Sequence, residues 1–425
     1  MHQAGELRDL RDFANERSPF YQRFHRGLGA RPLHELPVLT KAMLMDAFDE
    51  LTTDRGVRRG DVQEHVARMR SGDLLHDTYY VASTSGSTGQ RGLFVWNEAE
   101  WATVMASYSR GQDWAGVPTR ITRRMKLVLV SSRTPWHQSA VVGATAESRF
   151  LPTLRLDAIA PLPELDEQLN RFRPEVLVAY ASMGRVLADE QLAGRLHIEP
   201  RAVMTASEVL SNETKRRIER AFGSVPFNQY AATETAGVAS DCPLHRMHLY
   251  EDLVITEVVD DKNRPVPPGE YGAKVLVTVL FSRTLPLIRY EMSDCVRVSR
   301  ERCPCGRAFA LIDGIEGRRE EVLDLPSLDH GSVAIHPNVF HDTLDLLPLR
   351  AWQVRQEERG LRVLTVGSSE DVDGETISRT LASALATHGA RPGYVLIERV
   401  DEIPKTALGK SPLVQRLVPV HSSHH

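Results

Sequence analysis

"RAVMTASEVLSNETKRRIERAFGSVPFNQY", residues 201–230, sets two short apolar runs on either side of a charged stretch. The runs, "RAVMTA" (201–206) and "VPFNQY" (225–230), have strand length, and "SNETKRRIERAF" (211–222) between them reads as an amphipathic helix. Strands that alternate with such helices predict parallel sheet covered by helices, because parallel neighbours need a helix-sized crossover. Upstream, "KLVLVSS" (126–132) and "EVLVAY" (175–180) repeat the texture. Ligands of such sheets bind beyond the carboxyl ends of the strands. After residue 250, "DLVITEVVD", a turn-rich "DKNRPVPPGEYG" and "AKVLVTVLF" predict two β-branched strands joined by a Pro/Gly loop, a β subdomain. From 319 onward, strand, helix ("PNVFHDTLDLL"), two strands, helix ("ETISRTLASALATHG") and strand ("GYVLIERV") predict a small α+β domain. The expected fold class is α/β: a large N-terminal domain with helix-covered sheets and a β subdomain, then a small α+β C-terminal domain.

Bulk properties narrow the function classes. A chain of 425 residues with 42% apolar residues exceeds one core, so two or more domains are expected. The net charge of -4, with both signs interleaved, argues against a nucleic-acid surface. The N-terminus has Leu7, Leu10 and Phe13 at helical spacing, a break at "SPF", and charges throughout. No export signal or membrane-length apolar run is read anywhere, so a cytoplasmic protein is expected. Four cysteines make no disulfide framework. The terminal "HSSHH" has the look of a tag remnant and is set aside.

The stretch "STSGSTGQRG" (83–92) follows the apolar "YYVA". Ser85, Gly86, Ser87, Thr88 and Gly89 combine hydroxyls with glycines that let backbone amides approach an anion, as a phosphate cradle requires. A flexible linker has the same composition, but "YYVA" before it and Trp96 and Trp101 after it place the loop inside a folded unit. A Walker-type P-loop is excluded: the only Gly-Lys-Ser is Gly409-Lys410-Ser411, and Pro404 stands where that motif needs glycine. Lys410 is then either a solvated surface charge or needs another explanation.

"TSGSTG" (84–89), "QYAATE" (229–234), "RYEMSD" (289–294), "GRREE" (317–321) and "PKTALGK" (404–410) occur in the order seen in adenylate-forming enzymes. With "ERSPFYQRF" near the start, "SEVLS" (207–211) and "CPCGR" (303–307), the chain most resembles the phenylacetate-CoA ligase branch of that superfamily over nearly its whole length.

The resemblance implies a nucleotide site. Ser85, Gly86, Ser87, Thr88 and Gly89 would hold the ATP phosphates, Tyr230 would stack on adenine, Thr233 would meet a phosphate and Glu234 would bind Mg2+. Ser207, Glu208 and Ala231 fall where family members pass the adenine and the acyl pocket. Asp294 would accept hydrogen bonds from both ribose hydroxyls and Arg318 would support ribose or phosphate. Lys410 would reach the substrate carboxylate and the α-phosphate as charge develops there. The resemblance divides the chain into a core, 1–317, and a mobile lid, 318–425, turning about the "GR" segment. Glu320 takes the hinge position usually held by aspartate. Gln90 replaces the loop's customary lysine, with Arg91 adjacent, and Ala231 stands where glycine is common. Both departures hint at an unusual substrate or acceptor.

Cys303 and Cys305, with Cys242 and a histidine of "DCPLHRMH", could close a tetrahedral structural zinc site, as similar chains of this branch do. His248 is the preferred fourth ligand and His245 the competitor; two reduced thiols and two surface histidines are the bland reading. Cys295 is expected to be a buried thiol. "TPWHQSA" (134–140) follows the strand 126–132, so Trp136 and His137 are candidate substrate contacts; core and surface packing is the rival reading. The activity implied is ATP-dependent activation of an acid, aromatic by resemblance, as an acyl adenylate with transfer to coenzyme A. A carrier protein would act in trans, and a homodimer fits the family. The alternatives are another substrate or acceptor, such as nitrite activation for diazotisation of an aryl amine or amide formation, and a non-catalytic nucleotide-binding protein.

Overall fold

The computed structural model describes residues 2–84, 91–318, 321–328, 330–335, 337–367, 372–405 and 412–416. The leading helix α1 (His2–Arg17) ends at Ser18, whose hydroxyl caps α2 (Pro19–Phe24) by accepting from the Tyr21 N–H. Thr40 caps α3 (Lys41–Asp46) in the same way; α4 (Phe48–Leu51) and α5 (Arg59–Arg68) follow. The hairpin β1 (Tyr80–Ser83) and β2 (Leu93–Trp96) leads into α6 (Glu98–Trp114). Asn97 and Glu100 form a capping box at the start of α6.

His25 closes α2 with its ring 4.9 Å from that of Tyr21, and it is 9% exposed. Burial and the charge of Arg11 lower its pKa to about 4. The folded chain therefore resists a proton that the unfolded chain accepts near 6.5, so full stability is present above that value and is lost as pH falls toward 4. This group alone is expected to make unfolding about 2 kcal/mol easier at about pH 5 than at about pH 7. Denaturant melts of the protein and of His25→Gln at the two pH values test it; the variant should lose this part of the slope.

The predicted alternation follows as β3 (Leu127–Ser131), α7 (Gln138–Ala146), β4 (Thr153–Asp157), α8 (Leu162–Phe172), β5 (Val176–Tyr180), α9 (Ala181–Leu192), β6 (Ala202–Ala206), α10 (Asn212–Phe222) and β7 (Phe227–Ala232). The opening stretch is indeed strand, helix, strand: β6 and β7 pair in parallel, with Met204 opposite Phe227. Ser211 caps α10, and Gly223 ends it at φ 71°.

The sheet is not purely parallel. β8 (Ala236–Asp241), β9 (Met247–Leu249), β10 (Val254–Val259), β11 (Lys274–Val279), β12 (Tyr290–Met292), β13 (Asp294–Val298) and β14 (Leu311–Arg318) come next. Four of these join the five parallel strands, giving the order β13-β14-β9-β8-β7-β6-β5-β3-β4. Only three residues, Thr233 to Thr235, separate β7 from β8, too few for a crossover, so β8 must return antiparallel. The predicted β subdomain is the separate sheet β10-β11-β12, while β13 leaves it for the main sheet. The core between the parallel strands and α8, α9 and α10 contains Val130, Leu177, Val203 and Ile218, all fully buried.

The C-terminal part has its own core. β15 (Leu323–Pro326) and β16 (Ser332–Ile335) form a hairpin, followed by α11 (Pro337–Leu344), β17 (Ala351–Gln356), β18 (Leu361–Val366), α12 (Gly374–Thr387), β19 (Val395–Arg399) and β20 (Val414–Gln415). The sheet order is β19-β18-β17-β20, and Phe340, Trp352, Leu361 and Leu381 are buried together around it. Among the described residues no helix is long and apolar enough to cross a membrane.

Candidate functional site

Strand β4 lies on one side of β3, and β5, although next in sequence, lies on the other. The crossovers diverge between β3 and β5, which opens a crevice at their carboxyl ends. Tyr180, the last residue of β5, spans it by accepting from the Ser132 N–H at 2.9 Å. Burial pushes the Tyr180 phenol up to about 12, against hydrogen bonds from Ser132 and Ser139. The buried His137 is the N-cap residue just before α7, with Nδ1 2.8 Å from Ser139 Oγ. Gln138 donates to the Thr233 carbonyl at 3.3 Å and accepts from the Tyr108 hydroxyl at 3.0 Å, which ties α7 to the β7–β8 turn.

The β1–β2 hairpin docks beside this crevice. The Ser83 N–H donates to the Trp136 carbonyl at 2.9 Å, and the Arg91 guanidinium lies 4.5 Å over the Trp136 ring. Thr84 N–H donates to the Gly92 carbonyl at 3.0 Å, and Gly92 N–H to Thr84 Oγ1 at 2.8 Å. A Cβ at Gly92 would sit 2.8 Å from the ring of the buried Phe94, so any larger residue there must displace that ring. Both ends of the Ser/Thr/Gly loop are thus fixed in a folded hairpin, which removes the linker reading. Residues Ser85, Gly86, Ser87, Thr88, Gly89 and Gln90 themselves, with Glu320 and Lys410, lie outside the described residues.

At the end of β6, Ser207 is exposed and adopts φ 70°. The Glu208 carboxylate accepts from the Ser182 N–H at 2.8 Å in the first turn of α9, where a negative charge meets the helix dipole. Tyr230 is buried on β7 in the main core, and Ala231, Thr233 and Glu234 are half-buried where β7 turns into β8. Ala236 at φ 61° and the Thr235 N–H, bonded to the Ala232 carbonyl at 3.2 Å, close that turn. Asp294 begins β13 directly opposite Arg318, the last residue of β14, on the far side of β8 and β9.

Lys405 was not singled out in the sequence, although it lies within "PKTALGK". Its Nζ donates to the Ala158 carbonyl at 2.9 Å, one residue past β4. Burial lowers its pKa, while Glu402, Asp157 and Glu208 favour its charge. The C-terminal segment therefore meets the carboxyl edge of the parallel strands five residues before Lys410. Composition cannot distinguish Lys405 from a surface lysine; the contact can.

The second constellation is complete. Ligand atoms of Cys242, His248, Cys303 and Cys305 all lie within 4.8 Å of one another. Cys242 directly follows β8, His248 sits on β9 opposite Leu311 of β14, and the cysteine pair lies in the β13–β14 connection, so the strand pairing joins segments far apart in sequence. The Cys242 and Cys303 sulfurs are 3.7 Å apart, and Cys305 Sγ is 3.3 Å from His248 Nε2. Tetrahedral zinc with bonds of about 2.3 Å to sulfur and 2.0 Å to nitrogen requires about 3.8 and 3.5 Å. His248 Nδ1 donates to the Phe309 carbonyl at 3.0 Å, which leaves Nε2 as the lone-pair atom facing the thiols, the usual support for a metal-bound imidazole. Burial pushes the Cys305 thiol up, but hydrogen bonds from Arg307 and the neighbouring thiols outweigh it and bring the pKa down to about 6. His245 is excluded: its ring packs 4.3 Å from Phe227. Cys295 is buried apart from the cluster, 3.6 Å from the Ala273 carbonyl. The donor set fits a structural zinc ion.

No protein-family model matches the chain. Over 165 residues it is 31% identical to the phenylacetate-coenzyme A ligase of Thermus thermophilus, covering 36% of each chain. Over 277 residues it is 20% identical to a fumarate–(S)-2,3-diaminopropanoate ligase of Enterobacter agglomerans, covering 62% of this chain and 68% of that one. The chain thus spans about a third of the Thermus relative's length. A 2-hydroxyisobutyryl-CoA ligase in its postadenylation state superposes with a TM-score of 0.76 at 19% identity, covering 97% of this chain and 88% of the other. The same ligase in its thioesterification state gives 0.61. The fold is that of the acyl-CoA ligases, a large mixed sheet covered by helices.

Proposed function

We propose that this chain, similar over part of its length to phenylacetate-CoA ligases, is an AMP-forming ligase of the adenylate-forming superfamily that activates a carboxylic acid and passes it to coenzyme A. The observation that supports this reading best is the Lys405 contact, which lays the start of "PKTALGK" on the carboxyl edge of the parallel strands. Around that edge stand the pinned hairpin, Trp136, His137 and the Thr233–Glu234 turn. The acid is aromatic in this reading, with Trp136, His137 and Ala231 lining its pocket.

Attack of a carboxylate on ATP brings two anions together, so the protein must supply position and positive charge rather than a nucleophile. The amides and hydroxyls of Ser85, Gly86, Ser87, Thr88 and Gly89 hold the phosphates, with Thr233 beside them. Tyr230, Ser207 and Glu208 border the adenine, and Asp294 and Arg318 hold the ribose. Glu234 would hold Mg2+, which neutralises phosphate charge when bound. Lys410 binds the carboxylate and the α-phosphate, and the four-ligand cluster takes a structural zinc. Residues 318–425 form a lid that turns about the segment containing Glu320, so that Lys410 leaves before the thiol arrives. A carrier protein in trans, and a homodimer, remain part of this reading.

A second acceptor has specific support. The Enterobacter relative is named for joining an acid to an amine, and Gln90 and Ala231 depart from the ligase pattern. Amide formation, or nitrite activation toward an aryl amine, is the runner-up. A purely nucleotide-binding role would not require Glu234, Asp294 and Lys410 together.

The test is incubation with ATP, Mg2+ and a panel of aryl acids, aryl amines and nitrite, with and without coenzyme A. The expected result is AMP and pyrophosphate release dependent on one aryl acid, with the matching acyl-CoA identified by mass spectrometry. Release that needs nitrite plus an amine moves the assignment to the second reading; no release with any substrate overturns both.

A further inference from the structure

Among the described residues, polar side chains of the C-terminal unit meet the core at Asp345, where Arg185 and Ser211 face it, and at Lys405, on the Ala158 carbonyl. The first is buried. Arg185 on α9 donates through one nitrogen to Asp345 Oδ1 at 2.9 Å and through another to the Leu349 carbonyl at 2.8 Å; the two side chains are 8% and 3% exposed. Asp345, just past α11, also accepts from Trp352 Nε1 at 2.7 Å and faces His341 Nδ1 at 3.2 Å. Burial would push the Asp345 carboxyl up, but His341, Arg185 and Ser211 outweigh it and hold the carboxyl well below its usual range. The second contact is that of Lys405 with the Ala158 carbonyl.

The partners are unlike in one respect that matters. Trp352 and His341 belong to the C-terminal unit itself and would stay with Asp345 wherever that unit went. Arg185, Ser211 and Ala158 belong to the core and would not. Among the described residues Arg185 Nε finds no acceptor, so the pair is not fully satisfied even when docked. A buried guanidinium whose carboxylate leaves must regain water or stay uncompensated, so docking and undocking are two discrete states rather than a continuum.

We propose that Arg185, Asp345 and Lys405 are positioning residues that dock the C-terminal unit on the core in the orientation that presents Lys410, favouring the adenylate-forming half-reaction over the acceptor half-reaction. The proposal rests on the ligase reading above. The ion pair fixes the α11–β17 corner against α9, and Lys405 fixes the segment that precedes Lys410 against the end of β4. Two separated points define an orientation where one would leave a pivot. Removing either point should free the unit, with no change to any group that touches substrate.

The test uses full-length Asp345→Asn and Lys405→Gln. A donor–acceptor dye pair is placed at Glu167 on α8 and Glu375 on α12, both exposed, to report the distance between core and C-terminal unit. Each variant is expected to broaden the distance distribution, to lower kcat/KM for acid-dependent pyrophosphate release about tenfold, and to leave turnover of supplied acyl adenylate with coenzyme A unchanged or faster. Lys405→Gln disturbs no buried ion pair, so it carries the test if Asp345→Asn unfolds. Unaltered dye distances, or equal losses in both half-reactions, overturn the proposal. If the unsubstituted protein forms no adenylate from any acid or other oxyanion, the ligase reading fails, while the dye distances still decide whether these residues dock the unit.

Discussion

Lys410→Ala should cut acid-dependent pyrophosphate release by about 100- to 1,000-fold while leaving turnover of a supplied acyl adenylate within a few-fold. The asymmetry follows from the charges. When a carboxylate approaches the α-phosphate, two negative charges about 3.5 Å apart repel by about 5 kcal/mol at an effective dielectric near 20. An ammonium between them offsets a repulsion of that size and strengthens as charge builds in the transition state, so its loss falls on kcat more than on binding. In the second half-reaction the attacking thiol meets an uncharged acyl carbon, and the lysine has no comparable task. Pyrophosphate release in a rapid-mix experiment, beside thioester formation from synthetic acyl adenylate, separates the two. Equal losses in both steps, or no loss in the first, would remove Lys410 from the role assigned to it.

Much of this architecture is legible in the residues, and the remainder fails for reasons that can be named. The stretch 201–230 announces its strand, helix and strand because period and length agree there: β6 and β7 flank an amphipathic α10 capped by Ser211 and Gly223. The antiparallel half of the sheet was not read, because a strand buried on both faces, such as β8, carries no mark of its direction. Only the shortness of the Thr233–Thr235 link fixes it. The candidate metal ligands were legible as residue types, and His248 was preferred over His245 there, but the physical ground for that choice lies in the fold. Both are histidines near Cys242, and what separates them is the pairing of His248 with Leu311 and the carbonyl of Phe309. Arg185, Asp345 and Lys405 left no trace for a similar reason: each is an ordinary charged residue until the chain brings its partner from as far away as 247 positions.

Cys303→Ala is expected to abolish zinc binding, counted by metal analysis at one ion per chain in the unsubstituted protein, and to lower the melting temperature by on the order of 10 °C. The size follows from what the cluster holds. Cys303 and Cys305 occupy the loop between β13 and β14, where Gly306 turns the chain at φ 82°. The loop is held near its two ends, where Arg246 pairs with Glu301 at 2.7 Å and Glu251 accepts from the Ala310 N–H at 2.7 Å, while its middle rests on Arg307 over Trp114 at 4.6 Å and on the cluster of Cys242, Cys303, Cys305 and Leu311. Without the ion, thiolates packed within 4.8 Å repel one another or must take up protons, and the loop loses its main constraint. The damage should travel, since β13 and β14 carry Asp294 and Arg318 at their far ends, so nucleotide affinity should fall with the metal although no ligand touches nucleotide. His248→Ala should behave as Cys303→Ala does, and His245→Ala and Cys295→Ala should keep their zinc. Full zinc occupancy in His248→Ala would overturn the ligand set, and a zinc-free protein with an unchanged melting curve would reduce the cluster to three thiols and an imidazole in contact.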